Sequence, residues 1–352
     1  MNTIIKKVDF NNPEKNEDVF SEAAEIIKNG GLVAFPTETV YGLGANALDP
    51  IAVKKIYQAK GRPSDNPLIV HISEISELQK LVSEVSDKAK MLINTFWPGP
   101  ITMIFKKTDL VPFETSGGLN TVAIRFPENK VAQYFIKKSG LPIAAPSANS
   151  SGKPSPTRAS HVEFDLNSKI DMIIDGGSAE FGLESTIVDV SSDVPCLLRP
   201  GSITKAMIED VIGEITVDKA VLDKLSEGEK PKAPGMKYTH YSPTANVTIV
   251  KGDIDNMINK INEIIKSDDF KNKKVGVIAT EQTKDKYLCD NIIVIGDRNN
   301  SDEIASNLFK VLRKCDFLGF SDVYIEAFDE NGVGMAIMNR LKKAAGYNII
   351  NV

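Results

Sequence analysis

The chain has 352 residues, 42% of them hydrophobic and 25% charged, with a formal net charge of −5; the length points to two domains and the balance to an ordinary globular protein. That acidity excludes a protein whose main business is wrapping nucleic acid, and the scattered Cys196, Cys289 and Cys315, with His71, His161 and His240, exclude a disulfide framework, a CxxC zinc cluster and an HExxH site. No apolar run reaches the ~20 residues needed to cross a bilayer, and Met1 to Phe10 lacks the apolar core of a signal peptide, so a cytoplasmic protein is expected.

In chain order, Thr3 to Phe10 predicts a strand, and Glu14 to Lys28 an amphipathic helix stopped by Gly30-Gly31. Leu32 to Thr37 is the second strand. Its apolar run passes at once into Pro36, Thr37, Glu38 and Thr39, polar residues that a simple buried strand would not tolerate, as in a strand that delivers polar groups to a site. Gly42-Leu-Gly44-Ala-Asn-Ala47 satisfies a GxGxxA fingerprint on paper. However, Pro36 to Tyr41 separates it from the apolar strand, and KGRPSDNP stands where a strand ending in an acid belongs, so a Gly-permitted turn before a helix is the expectation. A helix over Pro50 to Ala59 leads into Lys60-Gly61-Arg62-Pro63, expected to be an exposed turn whose two cations can close on an anion.

Pro67 to Ser73 predicts a third strand, carrying His71. Helices near Ile75 to Val82 and Ser86 to Phe96, a tight turn at Trp97-Pro-Gly-Pro100 and a strand over Ile101 to Lys106 follow. Alternation of strand and helix indicates an α/β layer fold. The next strands, Thr121 to Phe126, Pro142 to Ala145, Asp171 to Asp175, Ser185 to Val190 and Cys196 to Arg199, interleave with helices at Lys130 to Ser139 and Thr204 to Ile212. Strands so closely spaced imply some antiparallel pairing, hence a twisted, open, mixed sheet with flanking helices.

Polar residues gather where these strands end. Arg125 closes TVAIR and Arg199 sits in LLRPG; Ser147 and Asn149 follow one strand, Ser155 lies in a proline-rich turn, and Glu184-Ser185-Thr186 opens another strand. Singly, such cations are solvated surface groups and such hydroxyls are caps. Together at strand ends they also fit a phosphate or a ribose, because ligands of open α/β sheets bind there. There is no GxxxxGK[ST] loop and no GxSxG elbow, so neither a P-loop nor an acyl-enzyme is indicated.

Residues 217–244 are charged, with Gly and Pro spread through them, and read as an interdomain linker. The run Lys237-Tyr-Thr-His-Tyr241 reads as interdomain glue or as a flap over the cleft. Residues 245–352 predict a small Rossmann-like parallel α/β domain. Its strands are Asn246 to Val250, Lys274 to Ala279, Asn291 to Ile295 and Val323 to Ala327, and its helices are Asp253 to Ile265, Ser301 to Leu312 and Gly334 to Ala345.

AFPTETVYGLGANA, the KxR turn at Lys60-Gly61-Arg62, DNPLIVHI, WPGPIT, TVAIRFP, Ser147-Ala148-Asn149, ESTIVD, LLRPG and PGMKYTHYSP occur in this order. Together they resemble the threonylcarbamoyl-adenylate synthase family in its two-domain form, a YrdC-like catalytic domain (residues 1–216) and a smaller C-terminal domain. The resemblance implies a nucleotidyltransferase that makes L-threonylcarbamoyl-AMP and pyrophosphate from L-threonine, bicarbonate or CO2, and ATP, toward the threonylcarbamoyl group on adenosine 37 of tRNAs that read ANN codons. It implies Thr37, His71, Arg125 and Ser185 around threonine, and Lys60, Arg62, Ser116, Ser147, Asn149, Ser155, Arg199 and Tyr238 around ATP, with Lys60 and Arg62 as the catalytic cations. Magnesium would accompany the triphosphate, with no protein residue named as its ligand. The downstream partner would be the machinery that transfers the product to tRNA, with no stable tRNA binding and no membrane. An RNA-binding translation or ribosome-maturation factor is the alternative, disfavoured by the net acidity and the lack of an RRM, KH or RGG signature. A hydrogenase-maturing carbamoyltransferase is disfavoured by the absence of cysteine-rich zinc modules.

Overall fold

The computed structural model describes residues 2–222, 233–234, 241–267 and 273–352. The chain falls into two compact units, Met1–Ser151 with Ser155–Lys237, and Gly152–Pro154 with Tyr238–Val352. The sequence reading opens the linker at residue 217. Beyond that point, Ala220 and Ala233 are buried with Ile69, Ile104, Ala123, Ile187 and Leu198 of the first unit.

Among the described residues the first unit is built on eleven strands: β1 (Ile4–Lys7), β2 (Val33–Phe35), β3 (Gly42–Asn46), β4 (Ile69–His71), β5 (Ile101–Lys106), β6 (Thr121–Arg125), β7 (Ile143–Ala144), β8 (Met172–Asp175), β9 (Thr186–Asp189), β10 (Cys196–Arg199) and β11 (Thr216–Val217). They form one mixed sheet in the order β1-β8-β2-β3-β7-β4-β6-β5-β9-β10-β11. Parallel pairs such as β4 with β6 and β5 with β9 alternate with antiparallel ones such as β5 with β6, the mixed character expected from the close strand spacing.

Helix α1 (Glu17–Lys28) presents Val19, Phe20, Ala23, Ala24 and Ile27 to the core and ends at Asn29, where the N–H of Asn29 bonds Glu25 O and that of Gly30 bonds Ile27 O. Its inward face meets Phe35 and, from the helix Lys130–Ser139, Val131 and Phe135; the Phe35 and Phe135 rings lie 5.2 Å apart. Truncating Phe35 to alanine would cost about 3–5 kcal/mol. Helix α2 (Pro50–Lys60) starts where the Asp49 carboxylate accepts from Ile51 N at 2.8 Å and stops at left-handed Gly61, φ 63°. It therefore carries Lys60 within its last turn.

At one stretch the structure contradicts the sequence reading outright. Gly42 to Asn46 is strand β3, antiparallel to β2, rather than a turn before a helix. The reason is steric. A Cβ on Gly44 would lie 2.8 Å from Ile143 Cγ2 and 3.0 Å from the Phe35 ring, so glycine lets that ring lie across the hairpin. Low strand propensity is overridden by packing.

The second unit is an all-parallel five-stranded sheet. Its strands β12 (Asn246–Lys251), β13 (Val275–Ala279), β14 (Ile292–Val294), β15 (Asp322–Glu326) and β16 (Ile349–Asn351) run in the order β14-β13-β15-β12-β16. Helices Ile254–Lys266, Ser301–Leu318 and Val333–Ala344 connect them. All five residues of β13 are buried, as parallel strands covered on both faces require. Among the described residues no helix is long and apolar enough to cross a membrane.

Candidate active site

Hydrogen-bond register brings the first group of polar residues abreast. His71, the last residue of β4, pairs with Arg125, the last of β6; Arg125 pairs with Thr102 of β5; Thr102 pairs with Ile187 of β9; and Ile187 pairs with Arg199, the last of β10. Ser185 stands just ahead of β9 and closes the row. Its Oγ shares a hydrogen bond of 2.8 Å with Thr102 Oγ1 and accepts one of 3.1 Å from Arg199 Nη2, while Arg199 Nε donates to Ser185 O at 3.0 Å. The WPGP turn sets this alignment, with Trp97 Nε1 donating to Ile101 O and Thr186 N to Pro100 O. Past Arg199 the chain crosses over Thr186 so closely that a Cβ on Gly201 would lie 2.5 Å from Thr186 N, which accounts for the glycine in LLRPG.

The PTET segment after β2 supplies the second part. Thr37 Oγ1 donates to Val40 O at 2.6 Å and lies 2.8 Å from Thr39 Oγ1, folding the segment on itself. Arg125 reaches into it, donating from Nη1 to Thr39 Oγ1 at 2.8 Å and from Nη2 to Glu38 Oε1 at 2.6 Å. Both members of this ion pair have side chains only 4% exposed. Among the described residues, Arg125 Nε is buried without a hydrogen-bond partner.

His71 is buried, its Nδ1 lies 3.2 Å from Ile69 O and its ring stands edge-on to Phe35 at 5.9 Å. Burial, reinforced by the charge on Arg125, pushes its pKa down to about 3. It is a neutral imidazole at physiological pH.

A further set surrounds the end of α2. Lys60 Nζ donates to the carbonyls of Ser147 and Asn149, and Ser147 Oγ donates to Asn149 Oδ1. Arg62 Nη2 donates to Pro67 O at 3.2 Å. Ser116, at the end of the short helix Phe113–Ser116, donates to Leu119 O at 2.8 Å, and the next residue, Gly117, packs on the backbone of Asp65 and Pro67. The Arg62 and Ser116 turns are thus neighbours. Ser155 Oγ donates to Glu184 Oε1, tying the SPT loop to the residue beside Ser185.

The expectation of an exposed KGR turn is corrected here. Lys60 and Arg62 are 4% and 8% exposed, because loops arriving from Ser147–Asn149 and Asn66–Pro67 fold their carbonyls over the two cations. Tyr238, expected over the nucleotide, lies outside the described residues.

Four buried groups in this region went unassigned in the sequence reading: Glu38, Thr39, Thr102 and Glu184. Each had a signal. Glu38 and Thr39 adjoin Thr37, Thr102 is the polar residue within the apolar ITMIF of β5, and Glu184 precedes Ser185. Chemically, the region offers four buried cations, several hydroxyls and a neutral imidazole. Such a set can hold two anionic groups in surroundings where charge acts strongly. Among the described residues no group of three or more His, Cys, Asp or Glu is arranged to hold a metal ion.

Comparison with known proteins supplies the remaining observation. Residues 25–201 match the family model described as telomere recombination, which covers Sua5, YciO and YrdC proteins; residues 203–346 match that of the threonylcarbamoyl-AMP synthase C-terminal domain. A threonylcarbamoyl-AMP synthase of Pyrococcus abyssi is 51% identical over 330 residues, 94% of this chain and 95% of its own length. One of Bacillus subtilis is 49% identical over 336 residues, 95% of each. The solved structure of P. abyssi Sua5 complexed with L-threonine superposes with a TM-score of 0.93 at 49% identity, covering 99% of this chain and 100% of that one.

Proposed function

Since this chain belongs to the threonylcarbamoyl-AMP synthase family, we propose that it joins L-threonine, bicarbonate or CO2, and ATP into L-threonylcarbamoyl-AMP and pyrophosphate, for the tRNA modification that consumes this adenylate. The observation that carries the reading is Arg125, a buried guanidinium in the row from His71 to Arg199 with its Nε unbonded. It suits the carboxylate of an amino acid. Thr37, His71 and Ser185 would complete that half. Lys60, Arg62, Ser116, Ser147, Asn149, Ser155 and Arg199 would face the nucleotide, with Lys60 and Arg62 on its phosphates.

The reaction needs no protein nucleophile. A carbamate formed on the threonine amine attacks the α-phosphorus; a P–O bond forms, the bond to the β-phosphate bridging oxygen breaks, and pyrophosphate leaves with that electron pair. Substitution at phosphorus is driven by positioning and charge stabilisation, which a site of lysine, arginine and hydroxyls supplies. His71, neutral because it is buried, adds no charge to compete for the triphosphate. A donor set of cations and hydroxyls fits magnesium carried in on phosphate oxygens rather than a resident ion. The product would pass to the transferase that acts on tRNA.

Pyrophosphate release from ATP, measured with and without L-threonine and bicarbonate, tests the reading. Release that requires both is expected; release indifferent to threonine would overturn it. A primary role in RNA binding is not favoured, since relatives spanning 94–95% of the chain are synthases.

A further inference from the structure

We infer that Glu38 is a positioning residue that presents Arg125 to the amino-acid carboxylate, an inference that rests on the reaction proposed above. A guanidinium has two hydrogen-bonding edges, one formed by its two terminal nitrogens and one that includes Nε, and each can take a carboxylate or its equivalent. In Arg125 both terminal nitrogens are engaged from within the chain, Nη2 by Glu38 Oε1 at 2.6 Å and Nη1 by Thr39 Oγ1 at 2.8 Å. Nε is left buried and without a partner. The occupied edge fixes the plane of the group, and the vacant edge is the one a ligand carboxylate can take.

Glu38 is itself held from two sides. Its Oε2 accepts from Asn129 N at 3.3 Å, at the start of the helix Lys130–Ser139, and its carbonyl accepts from Glu180 N and Phe181 N at 3.0 and 2.9 Å. A side chain locked at its base and at its tip transmits that rigidity to the arginine it grips. Stability alone does not explain the pair, because a buried ion pair generally gains no more than apolar side chains of similar volume. Nor does simple anion attraction, since Glu38 cancels the charge on Arg125. What the pair gives is direction. A carboxylate that meets Nε and Nη2 side-on is recognised by geometry, so an uncharged amide in its place forfeits the paired contact.

The test uses the full chain. For Glu38→Gln, the KM for L-threonine should rise about 10–100-fold, the range of one charged hydrogen bond, while the KM for ATP and kcat at saturating threonine stay within about threefold. The wild-type protein should bind L-threonine at least tenfold more tightly than L-threoninamide, and Glu38→Gln should bring that ratio toward one. A purely structural role would weaken both substrates together and leave the ratio unchanged. If Glu38→Gln does not fold, Glu38→Asp, which keeps the charge but withdraws it by one methylene, should raise the threonine KM about threefold or more with the ATP KM unchanged. An unaltered threonine KM in whichever variant folds, or an equal rise for ATP, overturns the inference. Wild-type protein without threonine-dependent pyrophosphate release would instead refute the proposed reaction.

Discussion

Each unit of this protein sets an arginine–carboxylate pair at the end of a strand, and the two pairs are finished differently. In the second unit Glu326, the last residue of β15, is ringed: Thr283 and Tyr287 hydroxyls on Oε1, Arg298 and Thr280 on Oε2. Arg298 also donates to Ala327 O and lies over the Phe328 ring. Burial and the Glu326 charge push the Tyr287 phenol far above its ordinary pKa, so it remains a donor. That ring is closed and acts as a strut. In the first unit Arg125 meets Glu38 and Thr39 but keeps Nε unsatisfied, a cost that a structural pair would not carry. The contrast separates a pair that holds strands together from one that awaits a ligand.

Removing the strut should show the largest effect. Glu326→Ala leaves Arg298 without its counter-charge and should lower the unfolding free energy by about 3–5 kcal/mol, read by calorimetry, with the threonine KM unchanged; a raised KM would erase the distinction between the pairs. Lys60→Ala should reduce pyrophosphate release about 10²–10³-fold. Because Lys60 is buried against two carbonyls rather than exposed, some loss of stability should accompany it, which a thermal melt would detect.

His71 gives a smaller, pH-dependent effect. Its folded pKa of about 3 lies below the ordinary 6.5, so beneath pH 6.5 the unfolded chain takes up a proton that the folded one refuses. Stability is therefore lost as pH falls, by about 2 kcal/mol at pH 5. His71→Gln should flatten that slope in denaturant melts at pH 5 and pH 7, and an unchanged slope would show that other groups set it. Of similar size is the effect of Gly44→Ala, whose new methyl would crowd Ile143 and Phe35; a loss of about 1–3 kcal/mol is expected, with synthesis retained at low temperature.

Much of the fold was legible because local signals agreed with it. The helix over Lys130–Ser139 and the strands Ile101–Lys106 and Cys196–Arg199 carry their own periodicity and stops, and the structure has the same bounds. Strand β3 was illegible, because its glycines answer to the Phe35 ring and Ile143 rather than to any local preference. Strand β16 went unread beside the chain end, where Ile349 and Ile350 are a short signal. The residues of the candidate site could be picked out as polar groups at strand ends. Their burial could not: Lys60 is covered by carbonyls 87 and 89 residues away, and Glu38 pairs with an arginine 87 residues on. Contacts that distant leave no trace in local pattern.

The row from His71 to Arg199 has one more consequence. Its members come from five neighbouring strands, and each is placed by the register of its own ladder. Slipping any one strand by a single residue turns its side chains to the opposite face, so a sheet with native strand content and one faulty alignment would still lose an arginine or a hydroxyl from the row. Turnover in this protein is therefore a checksum on how its strands are threaded, able to report an error that a circular dichroism spectrum would pass.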